Sequence, residues 1–385
     1  MMSYKLTKNA YLLVLYYFVA WLGGTMAWFV QPFYFQSLGY DYEALGVIFS
    51  VIFLTQAFAL LLTGPFTAKF GYKRSILLAV GFFMTTRIIH VVAPVYPLLI
   101  LASITFGVGM ALEYPSLISL LSEAVEEEKR NYAFSLNWGL ATVGGGLGTL
   151  LGGYLASILG YRTTLIIASF FVPLQGAIIY LASSVEERVV DEINLTRRLI
   201  LRIAILSIPI AIIGIAGGIT MNYMGPWFRD FYGVSVEDIG KIFTFFMIFT
   251  GFGTLISPYL AEKFSSFSII VIFTSATAVL TSLIPLGSLP LAVAFHSLRM
   301  LLVNMETPLW DSLFLKFFGE NEKSTALALK SFAWTVSYGV GQYIGGWMFN
   351  FSLMWPFYIS GIVYLLSAFT FCIAYSREKK SRNQP

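Results

Sequence analysis

Residues 39–46 read GYDYEALG and residues 233–240 read GVSVEDIG, so two glycines and a central acid recur about half a chain apart. The repetition continues downstream, where Glu113-Tyr114-Pro115 matches Glu306-Thr307-Pro308 at nearly the same offset. Internal repeats of this length indicate that one unit has been duplicated. The chain is therefore predicted to consist of two similar halves.

The composition places both halves in a membrane. Hydrophobic residues make up 57% of the 385 residues and charged residues 11%, against about 25% charged in a typical soluble domain. The apolar stretches are long enough for helices that cross a bilayer, and they lack the alternation of barrel strands. Twelve spans are predicted, at residues 10–36, 43–68, 74–93, 96–121, 132–159, 163–183, 199–227, 238–261, 267–286, 290–315, 326–349 and 354–375.

The sequence thus predicts an all-α membrane protein with two pseudo-symmetric six-helix bundles. The bundles are expected at residues 1–183 and 199–385, with a cytoplasmic linker at 184–198 and a short cytoplasmic tail. Lysine and arginine collect in the loops on one side, and only Arg162, Arg229 and Lys241 fall in the loops on the other. Because positive loops stay in the cytoplasm, both termini are predicted inside a plasma-membrane protein. The first span is interpreted as a retained helix and not a signal peptide.

Several function classes are disfavoured. The net charge of +4 is attributed to the membrane anchors, so no nucleic-acid partner is predicted. With one cysteine, Cys372, and two histidines, His90 and His296, neither a metal site nor a cofactor is expected. A phosphate-binding loop is absent from the sequence, so ATP is not expected to be the energy source. The sequence also has no long polar domain that could hold a catalytic centre, so no enzymatic activity is predicted. The chain is expected to act as a monomer in the lipid bilayer.

Polar residues inside the spans are the candidates for function, because a charge at a helix centre costs about 2.5–3.5 kcal/mol on insertion scales. Glu113 and Glu306 occupy equivalent positions, each two residues before a proline. One helical face of the tenth span carries a polar and aromatic stripe of His296, Arg299, Val303, Glu306 and Trp310. Further candidate residues in other spans are Arg87, Asn222 and Trp28.

Structural ion pairs are an alternative explanation for these charges. The candidate pairs are Glu113 with Arg87, Asp311 with Lys330, and Glu306 with Arg299. The aromatic clusters near the span ends are interpreted as interfacial belts, with Trp28 kept as a possible cavity residue. Glycines at helical spacing are expected to allow close helix packing. These glycines are Gly144, Gly148, Gly152 and Gly153 in the fifth span and Gly341, Gly345 and Gly346 in the eleventh.

The stretch from Gly64 to Arg74, GPFTAKFGYKR, resembles the signature of the major facilitator superfamily, with Ala68 in place of its usual acid. The resemblance extends over nearly the whole chain. It implies a cytoplasmic gate in the loop after the second span, formed by Gly64, Ala68, Lys69, Gly71, Lys73 and Arg74. Glu262, at the equivalent of Ala68, is expected to supply the acid near the start of the helix at residue 132. Alternatively, the basic residues only anchor the loop in the cytoplasm.

The resemblance also implies a central cavity lined by spans one, four, seven and ten. The function predicted is secondary active transport of a small organic solute by alternating access, coupled to protons. Glu306 is the candidate proton carrier, since water or Arg299 beside it would change its charge. The glycine motif and the aromatic content favour export of amphipathic compounds. The alternatives are uptake of a sugar or an organic anion and, from another class, a lipid-moving or sensor protein without solute transport.

Overall fold

The structure is a computed structural model that describes residues 6–183 and 196–382. Over these residues it forms fourteen α-helices joined by turns and four short 3-10 helices. Residues 184–195 of the predicted linker lie outside the described part. The helices are α1 (Lys8–Ser37), α2 (Tyr42–Phe70), α3 (Tyr72–Val92), α4 (Tyr96–Glu123), α5 (Arg130–Leu159), α6 (Tyr161–Ser169), α7 (Phe171–Leu181), α8 (Arg197–Thr220), α9 (Met224–Tyr232), α10 (Val236–Lys263), α11 (Ser266–Leu283), α12 (Leu289–Leu315), α13 (Lys323–Phe351) and α14 (Trp355–Arg382).

The predicted all-helical membrane fold is confirmed. Ten stretches of the described residues are long and apolar enough to cross a membrane. The two other long helices, α12 and α13, are more polar. Three charged residues lie within α12. The sixth predicted span consists of α6 and α7, interrupted at Phe170, and the seventh consists of α8 and α9, separated by the 3-10 turn Met221–Tyr223.

The helices form two compact units. Of the described residues, the first comprises 6–40, 51–183 and 228–247, and the second comprises 41–50, 196–227 and 248–382. In the first unit α1 packs against α5, α6 and α7, and α3 packs against α4. In the second, α8 packs against α13 and α14, and α11 against α12 and α14. Each unit has its own apolar core. The predicted bundle boundary at the linker stays a prediction.

Prolines lie inside two of these helices at equivalent places. Pro115 lies inside α4 and Pro308 inside α12. A proline lacks the amide that would bond to the carbonyl four residues earlier. In α4 that carbonyl belongs to Ala111, and it accepts a hydrogen bond from the Thr63 hydroxyl at 3.0 Å. The freed carbonyl therefore binds a neighbouring helix in place of its own.

Glycines allow two pairs of long helices to approach closely. At Gly144 of α5 an added Cβ would lie 2.9 Å from the carbonyl oxygen of Phe18 in α1, and Gly148 lies even closer to that helix. In the second unit, Gly341 and Gly345 of α13 lie equally close to the backbone of α8. Such spacing brings helix backbones together in membranes.

The last glycine of each series contacts a different helix. An added Cβ at Gly153 would lie 3.0 Å from Cα of Gly240, near the start of α10 in the first unit. An added Cβ at Gly346 would lie 2.6 Å from Cα of Gly46, near the start of α2 in the second unit. The four residues are pairwise equivalent in the two sequence repeats. Both contacts require glycine because backbone faces backbone.

The segment predicted as the loop after the second span is mostly helical, which corrects that expectation. Gly64 and Ala68 lie in the last turns of α2, which continues to Phe70. Gly71 alone connects α2 to α3, with φ of 90°. Glycine adopts this left-handed conformation without steric cost, and the chain can therefore reverse over one residue.

Candidate functional site

A cavity of about 440 Å³ opens within the second unit, walled by α8, α12, α13 and α14. Its volume lies in the range that holds a small organic ligand. Of the stripe predicted on α12, Arg299, Val303, Glu306 and Trp310 line the cavity, whereas His296 is buried outside its lining. The remaining charged groups of the lining are Asp311 and Lys330.

Arg299 is held in the wall of the cavity by neutral partners. Its side chain is 2% exposed, and one terminal nitrogen, Nη2, donates to the Tyr364 hydroxyl at 2.9 Å. The other, Nη1, lies 3.0 Å from the Met221 sulfur, and Nε has no hydrogen-bond acceptor. The Tyr364 ring also lies under the guanidinium, 5.6 Å from its centre. These contacts orient the charge without neutralising it.

Glu306 lies two helical turns further along α12 and is 2% exposed. The hydroxyl of Thr274, from α11, donates to its carboxylate at 3.0 Å, and the Trp310 side chain lies beside the same group. Within residues 6–183 and 196–382, no ion pair joins Glu306 to Arg299 or to another cation. The alternative of a Glu306–Arg299 pair is therefore wrong in this structure.

Asp311 and Lys330 form an ion pair across α12 and α13, as the alternative interpretation predicted. Lys330 also lies over the Phe314 ring, 5.4 Å from its centre. Its side chain is 8% exposed, against 49% for that of Asp311. The buried ammonium thus has its counter-charge at the edge of the cavity.

Aromatic rings complete the wall. Trp334 and Tyr338 of α13 line the cavity and stack with ring centres 4.9 Å apart and planes at 23°. Trp310, which also lines the cavity, packs against Phe371 with ring centres 4.6 Å apart. Trp334, Tyr338 and Tyr364 were not among the predicted site residues. For two of these residues the spacing was a usable signal, since Trp334 and Tyr338 share one face of α13 with Lys330.

Comparison with known proteins identifies the family. The sequence model described as the Major Facilitator Superfamily matches residues 13–305 and 206–385. The chain belongs to the major facilitator superfamily. The fold agrees: a D-xylose-proton symporter superposes with a TM-score of 0.75 at 14% identity, covering 94% of this chain and 96% of that one. A nucleoside transporter gives a TM-score of 0.73 at 13% identity, covering 97% and 99%.

The relatives found by sequence match shorter stretches of the chain. A multidrug transporter of Aspergillus fumigatus is 27% identical over 35% of this chain. A 3-(3-hydroxy-phenyl)propionate transporter of Escherichia coli is 31% identical over 30% of this chain, and a gallate transporter of Pseudomonas putida is 26% identical over 36%. The matched stretch spans 26%, 29% and 31% of these relatives, respectively. The family is thereby shown to include transporters of several small solutes.

In the first unit of this superfamily member, Glu113 has a different partner from the one predicted. The hydroxyl of the buried Tyr16 donates to its carboxylate at 2.6 Å. Arg87 is 5% exposed and lies over the Phe106 ring, 5.8 Å from its centre. Among the described residues no ion pair joins Glu113 to Arg87, so the alternative of a permanent Glu113–Arg87 pair is wrong in this structure.

Two further candidates, Trp28 and Asn222, are uncharged. Trp28 is half-buried and stacks on Phe106, with ring centres 5.9 Å apart and planes at 22°. Asn222 lies in the 3-10 turn between α8 and α9, and its buried amide nitrogen has no hydrogen-bond acceptor among the described residues. Neither residue lines the cavity of the second unit. Their roles in binding stay predictions.

The predicted gating residues have structural contacts of their own. The Lys73 ammonium donates to the carbonyl oxygens of Tyr180 and Ala182, at 2.8 and 2.5 Å, where α7 ends. A cation is favoured at this position because the last carbonyls of a helix carry partial negative charge. Lys69 lies over the Phe70 ring, 5.3 Å from its centre. The gating role of these residues, of the exposed Arg74 and of Glu262 stays a prediction.

Proposed function

We propose that this superfamily member is a proton-coupled secondary transporter that moves a small amphipathic organic solute across the plasma membrane by alternating access. The solute binds in the cavity of the second unit, and Glu306 carries the proton. The observation that supports the proposal is the setting of Glu306, a buried carboxyl group on the cavity wall with a hydroxyl partner and no paired cation among the described residues.

The setting suits a group that changes its protonation state. Burial disfavours a carboxylate unless a cation or several donors accompany it, and hydration or a nearby positive charge favours it. Thr274 supplies one donor to Glu306, and Arg299 lies on the same wall of the cavity. Water that enters or leaves the cavity during the cycle then shifts the proton occupancy of Glu306. Transport and proton movement are coupled at this residue.

The solute class is supported by the lining of the cavity and by the relatives. Aromatic rings from α12, α13 and α14 line a space that also contains charged groups. Relatives named as multidrug, 3-(3-hydroxy-phenyl)propionate and gallate transporters handle small organic molecules. The glycine spacing of Gly144, Gly148 and Gly152 is accounted for by packing against α1, so the preference for export rests on the aromatic content of the chain alone. Uptake of an organic anion is the second candidate, favoured by Arg299.

The remaining parts of the proposal follow from the sequence. Basic residues concentrate in the loops on one side of the predicted spans, which favours cytoplasmic termini. Transport without enzymatic turnover is expected, since the relatives above are named as transporters. The chain is expected to work as a monomer, since both units and the cavity are formed by one copy.

The test is solute flux in proteoliposomes with a pH-sensitive dye, using a panel of aromatic carboxylates, aromatic amines and pentoses. Wild-type protein is expected to move protons when its solute is added. Glu306→Gln should abolish this proton movement and retain exchange of labelled solute, because exchange requires no net proton transfer.

Glu126→Gln, at an exposed acid, is the matched control. Unchanged proton movement in Glu306→Gln contradicts the assignment, and a wild type without any flux favours the sensor alternative.

A further inference from the structure

We infer that the cavity binds a small aromatic monocarboxylate, with the carboxylate on Arg299 and the ring against Trp334 and Tyr338. This inference rests on the proposed function, because it names the solute class for the same cavity. It is carried by two features of the cavity wall, a buried guanidinium that lacks a counter-charge and a stacked pair of aromatic rings.

The first feature is the incomplete environment of Arg299. Its partners are a tyrosine hydroxyl and a methionine sulfur, both neutral, and Nε has no acceptor. No carboxylate of the described residues lies within ion-pair distance of this guanidinium. A buried charge is costly unless it is paired. A guanidinium has five N–H donors in a planar fork that matches a carboxylate, and most of them remain available here.

The charges around the cavity determine how negative the ligand can be. The ammonium of Lys330 is neutralised by Asp311. Arg299 is therefore the cation without a partner in the lining, and Glu306 is the carboxyl group without one. When Glu306 is protonated, one positive charge is uncompensated. A monoanionic ligand neutralises the charge of Arg299. A phosphate ester with two negative charges would leave one negative charge in the cavity without a counter-charge.

The second feature is the aromatic wall on α13. Trp334 is half-buried and lines the cavity, so part of its ring is accessible to a ligand. Its stacking on Tyr338, with planes at 23°, holds the orientation of the Trp334 ring. Flat rings gain about 0.5–1.5 kcal/mol from offset stacking beyond the burial of their area. A ligand with a flat apolar body is therefore favoured over an aliphatic one of similar size.

The first test uses the intact protein in lipid nanodiscs and needs no variant. Binding of 2-naphthoate is compared by calorimetry with that of the neutral 2-naphthamide, the cationic 2-naphthylmethylamine and the dianionic 2-naphthyl phosphate. Naphthoate is expected to bind about tenfold or more tightly than the amide, because the amide has one acceptor oxygen and no negative charge and so cannot form the bidentate ion pair with Arg299. Equal affinities, or a preference for the amine or the phosphate, overturn the inference. Fully hydrogenated naphthoate is expected to bind about three- to tenfold more weakly than naphthoate.

The second test assigns the preferences to residues. Arg299→Gln should lose the preference for naphthoate over naphthamide, and Arg299→Lys should keep part of it. Trp334→Leu should keep the preference for the anion and lose the preference for the flat ring. The controls are Arg198→Gln, exposed at the start of α8, and Trp347→Leu, exposed on α13. An Arg299→Gln protein that still prefers naphthoate over naphthamide contradicts the anion site.

The outcomes separate this inference from the proposed transport. Flux of a sugar or an amine that depends on Glu306, with no binding of naphthoate, would overturn the anion site and leave proton-coupled transport standing. Naphthoate binding that depends on Arg299, without flux or exchange in proteoliposomes, would support the anion site and contradict transport. Flux of naphthoate that depends on both residues supports the two proposals together.

Discussion

At the scale of single residues, the Asp311–Lys330 ion pair is buried unequally, and this inequality has a measurable consequence. The lysine side chain is 8% exposed and that of the aspartate 49%. Asp311→Asn leaves a buried ammonium without a counter-charge, and we expect it to destabilise the protein by about 3 kcal/mol. Lys330→Met leaves a carboxylate that water can reach, so its effect should be smaller.

The measurement is the apparent Tm of each purified variant in the same detergent, followed by tryptophan fluorescence. The double variant Asp311→Asn with Lys330→Met should recover part of the stability, because no buried charge remains unpaired. If the two single variants lose equal stability, or if Lys330→Met loses more, the unequal burial does not govern the energetics of the pair.

At the scale of helices, close packing at glycine predicts which substitutions α5 tolerates. An added Cβ at Gly148 meets the backbone of α1, whereas nothing lies within 4 Å of one at Gly139 in the same helix. Gly148→Ala should therefore lower stability by about 1–3 kcal/mol through overpacking, and Gly139→Ala should raise it slightly through helix propensity. Thermal unfolding of the two variants checks this, and similar Tm values for both would contradict the close packing of α1 and α5.

The helices themselves were largely predictable from the sequence, because length and apolarity determine what can cross a bilayer. The predicted twelve spans correspond to the described helices. The breaks at Phe170 and at Met221–Tyr223 were missed, since an apolar run does not reveal where a helix is interrupted. The extent of α2 was missed for a related reason: a basic motif indicates the end of a span but not the residue at which the helix stops.

The candidate site was predictable only along one helix. Arg299, Glu306 and Trp310 follow from helical spacing within α12, which the sequence contains. Trp334 and Tyr364 belong to α13 and α14, and the faces that these helices turn to the cavity depend on packing between elements. Partners such as Tyr16 for Glu113 are equally non-local, because α1 and α4 are far apart in sequence. Sequence spacing alone does not specify such contacts.

At the scale of the whole molecule, duplication has preserved positions but not chemistry. Glu113 and Glu306 are equivalent in the two repeats. Glu113 accepts a hydrogen bond from Tyr16 of α1, whereas Glu306 accepts one from Thr274 of α11 and lines a cavity. The position equivalent to Arg299 in the first repeat is Phe106. The two acids are thus expected to have different roles, a structural one for Glu113 and a coupling one for Glu306.

This asymmetry gives a prediction for the complete protein in proteoliposomes. Glu113→Gln keeps an oxygen that accepts the Tyr16 hydrogen bond, so solute-driven proton movement should remain within about twofold of wild type. Glu306→Gln cannot release a proton, and its flux should lose dependence on the pH gradient while exchange persists. The same dye assay measures both variants in parallel. If Glu113→Gln abolishes proton movement as completely as Glu306→Gln, the two duplicated acids act together. Glu113 then takes part in proton coupling, and the structural role inferred from its hydrogen bond to Tyr16 is wrong.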